Sequence, residues 1–220
     1  MINIAIDGPA GAGKSCAAKL VAERIGALYL DTGAMYRAFA LAMIRRGADL
    51  TNAEAAAELV GKVDIDVGIS GGTQHTFING EDVTDELRSV EVSAGASAAG
   101  LVPEVREYMQ AKQREIAGTY DVVLDGRDIG TKVLPNTPHK FFLTASAEVR
   151  AKRRFDEMHK ENRPPFDEVL SAIIARDEQD MNRAADPLRP ASDAIIIDTS
   201  DMTLNEVVHT ILESVISVGR

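Results

Sequence analysis

The sequence predicts an α/β fold: a parallel sheet of about five strands covered by helices, with a small antiparallel lobe inserted into it. Three observations lead there. Apolar runs of strand length alternate with longer helical patterns, as a parallel sheet with crossover helices requires. A Gly-rich segment joins the first run to the first helical pattern. Near residues 63–83 the rhythm breaks into short alternating runs separated by turn residues.

The strand-length runs are 3–7, 27–31, 122–125, 140–143 and 194–198. Between the first two, residues 14–25 read as a helix closed by Gly26, the residue that most easily adopts the left-handed terminating conformation. A helix over 35–46 ends likewise at Gly47. Thr51-Asn52-Ala53-Glu54 fits a capping box before an Ala-rich helix, and Thr203-Leu204-Asn205-Glu206 fits one before the C-terminal helix. The turn signals of the irregular stretch are Ser70-Gly71-Gly72 and Asn79-Gly80, the second a hairpin signature. At Glu161-Asn162-Arg163-Pro164-Pro165 two prolines interrupt a charged helical stretch, which suits a mobile lid. With 220 residues and 45% hydrophobic composition, the chain is expected to form one domain, 1–220, with the inserted lobe at about 62–106 and the lid at about 150–166.

A formal charge of -10 argues against general nucleic-acid binding, which needs a net basic face, so positive charge must act locally. The single cysteine, Cys16, has no intramolecular disulfide partner, which fits a reducing compartment. The N-terminal residues lack the pattern of a secretory signal, and no later stretch is apolar and long enough to cross a bilayer. A cytoplasmic monomer with no membrane partner is the expectation.

Gly8-Pro9-Ala10-Gly11-Ala12-Gly13-Lys14-Ser15 satisfies G-x-x-x-x-G-K-S, and it lies where a phosphate-binding loop must, between a strand and a helix. Small residues let backbone N–H groups converge on phosphate oxygens, and the helix N-terminus favours the same anion. Residues 8–15, with Cys16 beside them, are thus predicted to bind ATP; Lys14 reaches the β- and γ-phosphates and Ser15 ligates Mg²⁺. The loop by itself does not choose among kinase, GTPase, motor or transporter ATPase. No asparagine is followed by lysine, so the guanine-reading N-K-x-D is absent, and the chain is small for a motor. A small kinase remains, and it needs an acceptor site.

Three further clusters lie at or beyond the carboxyl ends of strands, where such an acceptor would bind. They are Asp31-Thr32-Gly33-Ala34-Met35-Tyr36-Arg37, Asp125-Gly126-Arg127-Asp128-Ile129-Gly130-Thr131, and Arg176-Asp177-Glu178-Gln179-Asp180-Met181-Asn182-Arg183. On a helix, Arg176, Asp180 and Arg183 would share one face at i, i+4 and i+7, a spacing that also makes ordinary surface ion pairs. Arg127 and Asp128 are bracketed by Gly126 and Gly130 in a loop beside the expected catalytic edge.

These segments resemble those of the bacterial cytidylate kinases, P-loop enzymes that pass the γ-phosphoryl of ATP to CMP or dCMP. The resemblance runs along essentially the whole chain: I-D-G-P-A-G-A-G-K-S, L-D-T-G-A-M-Y-R, I-N-G-E-D-V-T, residues 91–106 ending P-E-V-R, D-G-R-D-I-G-T, R-D-E-Q-D-M-N-R and D-A-I-I-I-D-T-S. It implies a nucleoside monophosphate kinase of the P-loop fold whose lobe at about 62–106 serves the acceptor nucleotide. It implies that Arg37, Arg127 and Arg183 hold the CMP phosphate, that Ser97, Arg106 and Asp128 read cytosine, and that Arg176 and Asp180 contact the sugar region. Lys14, Arg127 and Arg183 would then be the catalytic side chains. Two departures stand out: Cys16 where threonine is common, and Arg88-Ser89-Val90-Glu91 where a proline often precedes the glutamate.

The chemistry agrees with those roles. Guanidinium forks suit phosphate oxygens. The exocyclic amine of cytosine donates to a carboxylate such as Asp128, while Arg106 donates to the ring nitrogen or carbonyl; uracil would oppose lone pairs to Asp128. Ser97 sits in Ser93-Ala94-Gly95-Ala96-Ser97-Ala98-Ala99-Gly100, which also reads as a close-packed small-residue helix. Arg150, Arg153 and Arg154 are lid candidates for reaching the transferring phosphoryl. The rival readings are another small P-loop kinase, for UMP, AMP or a non-nucleotide acceptor, and a nucleotide-dependent binding switch.

Overall fold

The computed structural model describes residues 1–70, 73–158 and 163–218, which form two compact units, 28–122 with Met1 and 2–27 with 123–220. The 71–72 end of the Ser70-Gly71-Gly72 turn, and Glu161 and Asn162 of the expected lid, lie outside the described residues.

The five-stranded sheet has the order β2-β6-β1-β7-β8, from strands β1 (Asn3–Asp7), β2 (Leu28–Asp31), β6 (Val122–Gly126), β7 (His139–Thr144) and β8 (Ile195–Asp198). Its neighbours β1, β7 and β8 run parallel, with Ile6 opposite Phe141 and Phe141 opposite Ile195. The order reverses at β1, and ligands of open α/β sheets bind at the carboxyl end of such a switch point. Ile4, Ala5 and Ile6 are wholly buried, as suits a central strand covered on both faces.

In the unit of 2–27 and 123–220, helix α1 (Lys14–Ile25) follows β1 and ends at Gly26, whose N–H reaches the carbonyls of Ala22 and Glu23. Helix α8 (Leu204–Val218) packs on α1. Its capping box forms as expected: Glu206 Oε2 accepts from Thr203 N and Oγ1, both at 2.7 Å. Helices α6 (Ala147–Glu157) and α7 (Phe166–Asn182) pack together around Ala151, Val169 and Ile173, with Phe155, Phe166 and Ala10 at the border. After β6 a π-helical turn, Ile129–Val133, replaces the loop read from sequence.

In the unit of 28–122, helix α2 (Thr32–Arg45) begins three residues before the expected start, because Asp31 caps it by accepting from Ala34 N at 3.0 Å. The box at Thr51 does not form. Asn52 instead caps helix α3 (Ala53–Leu59), accepting from Ala55 N, while Asp49 Oδ1 takes the N–H and hydroxyl of Thr51, each at 2.8 Å. The irregular stretch is an antiparallel sheet, β3 (Ile65–Ser70), β4 (Thr73–Ile78) and β5 (Glu81–Asp82). Asn79 and Gly80 both have positive φ, as the predicted hairpin turn demands. A 3-10 turn, Thr84–Arg88, leads into helices α4 (Val90–Ala99) and α5 (Pro103–Ala117). Helix α4 lies so close to α2 that a Cβ on Gly95 would stand 3.0 Å from that of Ala40.

Among the described residues no helix is long and apolar enough to cross a membrane.

Candidate active site

The loop after β1 takes its shape from its neighbours. Gly8 has φ +144, and a Cβ there would stand 2.0 Å from the carbonyl oxygen of Leu143, so no other residue fits. The loop carbonyls are held from behind. Arg150 Nη1 donates to Ala10 O at 3.1 Å, Thr199 Oγ1 to Ala12 O at 3.2 Å, and Lys14 Nζ to Pro9 O at 2.7 Å. At the head of a helix such as α1, backbone N–H groups without intrahelical partners favour phosphate oxygens.

Lys14 is 6% exposed. Burial, and secondarily the nearby Arg127 charge, lower its pKa to about 7, against the opposing pull of Asp125 and Asp7. Ser15 Oγ donates to Asp125 Oδ2 at 2.7 Å. This pair joins a hydroxyl and a carboxylate at the ends of adjoining elements. Hard oxygen donors of that kind fit Mg²⁺, which is held by one or two protein oxygens with the remainder from phosphate and water. Among the described residues no cluster of three or more His, Cys, Asp or Glu could cage an ion. Cys16 is an exposed free thiol beside them.

Asp125, the partner of Ser15, lay within a sequence cluster without a role of its own, although a carboxylate closing the apolar run Val122-Val123-Leu124 was a usable signal.

Of the residues expected to serve the acceptor, five lie in the same unit as the loop. Arg127 Nε donates to Asp180 Oδ2 at 2.8 Å and Nη1 to Gly126 O at 3.2 Å. Arg183 Nη2 stands 3.4 Å from Asp128 Oδ1, and Arg183 Nη1 4.0 Å from Asp180 Oδ1. Arg176 stands one turn before Asp180 on α7 and is half-buried. Arg183 does not continue that helix. It is the cap of α7 in extended conformation, drawn away because its Nε donates to the carbonyl of Asp186 at 2.6 Å, where the chain turns with φ 49. The predicted helical face therefore ends at Asp180, and a turn brings Arg183 back to it.

The other three lie in the unit of 28–122. Arg37 Nη2 pairs with Asp31 Oδ2 at 2.8 Å, and Asp31 is tied to the hairpin through its N–H, which donates to Gln74 Oε1 at 2.7 Å. Ser97 is half-buried on α4, and Arg106, 2% exposed on α5, donates from Nη1 to Gly100 O at 3.2 Å.

The three lid candidates separate. Arg150 is 4% exposed and forms a fork on Asp177 at 3.0 and 2.6 Å, while its Nε donates to Ala145 O. It braces the loop from within. Arg153 donates to Thr199 Oγ1 at 3.0 Å and to its carbonyl at 2.6 Å, with its guanidinium near Gly13. Arg154 is on the surface, 3.6 Å from Glu157. Neither Asp177 nor Thr199 was recognisable as a loop support, since their partners are 27 and 187 residues away in the chain.

Comparison with known proteins shows the family of the chain. The profile of the family described as Cytidylate kinase matches residues 4–217. A cytidylate kinase of Bacillus subtilis (strain 168) is 46% identical over 220 residues, covering 100% of this chain and 98% of the relative. One of Desulforamulus reducens is 48% identical, covering 95% and 94%, and one of Caldicellulosiruptor bescii 46%, covering 96% and 94%. Among solved structures, a gluconokinase from Sinorhizobium meliloti 1021 superposes with a TM-score of 0.51 at 16% identity, covering 99% of this chain and 93% of that one. An uncharacterised protein from Eubacterium ventriosum ATCC 27560 gives 0.53 at 15%, covering 98% of each. These two likenesses concern the fold alone.

Proposed function

Because this chain belongs to the cytidylate kinase family, we infer that it transfers the γ-phosphoryl group of ATP to CMP or dCMP, giving ADP and CDP or dCDP. Within the structure the reading rests on one observation above others. The loop with Lys14, Ser15 and Asp125 is followed at once by a paired acid and base set, Arg127 with Asp180 and Asp128 with Arg183. The first group suits a triphosphate, and the second offers guanidinium groups for a monophosphate beside a carboxylate for an amine-bearing base.

Residues 8–16 hold the ATP phosphates, with Lys14 at the oxygens where charge grows as the bond breaks. Ser15 and Asp125 would hold Mg²⁺, which would supply positive charge to offset that of the phosphates. The attacking group is an oxygen of the acceptor phosphate, already largely dianionic at neutral pH with a second pKa of about 6, so no general base is needed. What must be overcome is repulsion between two anions. The side chains that resemblance to the family assigns to this are Arg37, Arg127 and Arg183, which would exchange carboxylate partners for phosphate oxygens. Asp128 accepts from the cytosine amine, Arg106 donates to its ring, Ser97 joins them, and Arg176 and Asp180 meet the sugar. The lobe at about 62–106 carries the acceptor nucleotide, residues 150–166 close as a lid, and the protein works as a cytoplasmic monomer.

Steady-state ADP release with CMP, dCMP, UMP, AMP, GMP and shikimate tests this directly. CMP and dCMP should be the fastest acceptors. Equal rates on UMP and CMP would overturn the cytosine assignment, and slow turnover independent of any acceptor would favour a binding switch instead.

A further inference from the structure

One buried charge has no part in the chemistry just described. Asp7 closes β1, immediately before Gly8, and is 4% exposed. Its two carboxylate oxygens accept from two consecutive backbone N–H groups, Ile129 N to Oδ1 at 2.8 Å and Gly130 N to Oδ2 at 2.7 Å. These are the first donors of the π-helical turn, groups that have no partner inside the turn itself. Asp128, directly before them, is the cap residue of that turn, with φ -146 and ψ 21.

A carboxylate that receives two successive amides fixes the peptide planes on both sides of the residue it holds. Here those planes follow Asp128, whose own carbonyl accepts from Lys132 N at 2.8 Å. The peptide group that follows Asp128 is thus held at both its N–H and its C=O, and the side chain leaves next to a fixed peptide plane. The arrangement is costly. Burial pushes the Asp7 carboxyl up to about 7; the amides of Gly130 and Ile129 and the charge of Lys14 pull it down, while Asp128 pushes it up. An apolar residue at this central strand end would avoid the burial cost but leave two buried amides unsatisfied.

We propose that Asp7 is a positioning residue for the acceptor base: by holding the amides of Ile129 and Gly130 it sets the aim of Asp128, and through it the preference for CMP over UMP. The proposal rests on the reading of Asp128 as the reader of the cytosine amine. It joins the last residue of the strand that carries the ATP loop to the residue that selects the acceptor.

The test uses Asp7→Asn, which keeps the shape but turns one acceptor into a donor facing an N–H. ADP release is measured for the native chain, Asp7→Asn and Asp128→Ala, with CMP and UMP at varied ATP. Asp7→Asn should raise KM for CMP about tenfold, the order expected for one lost buried acceptor, and narrow the CMP to UMP ratio as Asp128→Ala does. KM for ATP should stay within about twofold of native. If Asp128→Ala narrows the ratio and Asp7→Asn does not, the inference is overturned and the base reading stands. If Asp128→Ala leaves the ratio intact, the base reading falls and the inference with it. A raised KM for ATP with an unchanged ratio would assign Asp7 to the donor loop and equally overturn it. Should Asp7→Asn fail to fold, Asp7→Glu serves in its place: it keeps the carboxylate but moves it one methylene from its present position against the amides of Ile129 and Gly130, and the same outcomes apply.

Discussion

The ATP loop and the charged set around Asp128 lie in one unit, and they are built in opposite ways. The loop presents backbone, shaped by a steric exclusion at Gly8 and by side chains that grip its carbonyls from behind. The set around Asp128 presents side chains, each already paired with an opposite charge from a different part of the chain. A backbone site depends on a short stretch of sequence and on support. A side-chain site depends on which distant residues the fold brings together, and its partners can be exchanged for those of a substrate.

The sharpest way to break this contrast is Lys14→Ala, which removes the side chain proposed to meet the phosphate oxygens where charge grows. Turnover should fall on the order of 10³-fold with every acceptor alike, read by coupled ADP release. A loss confined to CMP would place Lys14 with the acceptor residues instead.

The supports behind the loop come next. Arg150→Ala leaves the Asp177 carboxylate, 13% exposed, without its fork and the Ala10 carbonyl without its donor. Breaking a buried pair from one side costs about 3–5 kcal/mol, to be measured as a lowered midpoint of urea unfolding. The same change at Arg154, four residues along α6, should stay within about 0.5 kcal/mol, because its contact to Glu157 is exposed. Equal destabilisation by the two variants would refute the buried-brace role of Arg150.

The smallest effect concerns the hairpin of the other unit. Asp82 is held at a pKa of about 2, below its ordinary 3.8, chiefly by the Thr84 hydroxyl and N–H and then by His75. A depressed carboxyl contributes stability above its unfolded value and loses it as pH falls through the folded one. The difference in urea midpoint between the native chain and Asp82→Asn should therefore be present above pH 4 and shrink toward pH 2. A difference independent of pH over that range would show that the Asp82 charge plays no part.

Legibility followed the same division. Helix α1 and the turn at Asn79-Gly80 were readable to the residue, because a left-handed glycine and a hairpin dipeptide impose their geometry locally. The cap at Thr51 was misread. Asp49 competes for Thr51 through an equally local contact, and pattern alone does not rank the two. The i, i+7 face through Arg183 failed because the helix ends at Asn182, where the backbone hydrogen bond from Leu188 N to Asp180 O and the turn at Asp186 take over. Of the site, the loop residues and the acceptor clusters were legible as motifs. Their partners were not: Ser15 meets Asp125 across 110 residues and Asp7 meets Gly130 across 123.

The sequence by itself determined that this chain has a phosphate-binding loop between strand and helix, since that signal lies in consecutive residues and backbone sterics. It also carried, through its resemblance to cytidylate kinases, the residues to examine for an acceptor. Only the tertiary structure decided that Arg150 braces the loop while Arg154 faces solvent, and that Asp7 underpins Asp128. The reason is physical. Burial and pairing of a charge depend on what the fold packs against it, and residues far apart in the chain leave no local mark of that in the sequence.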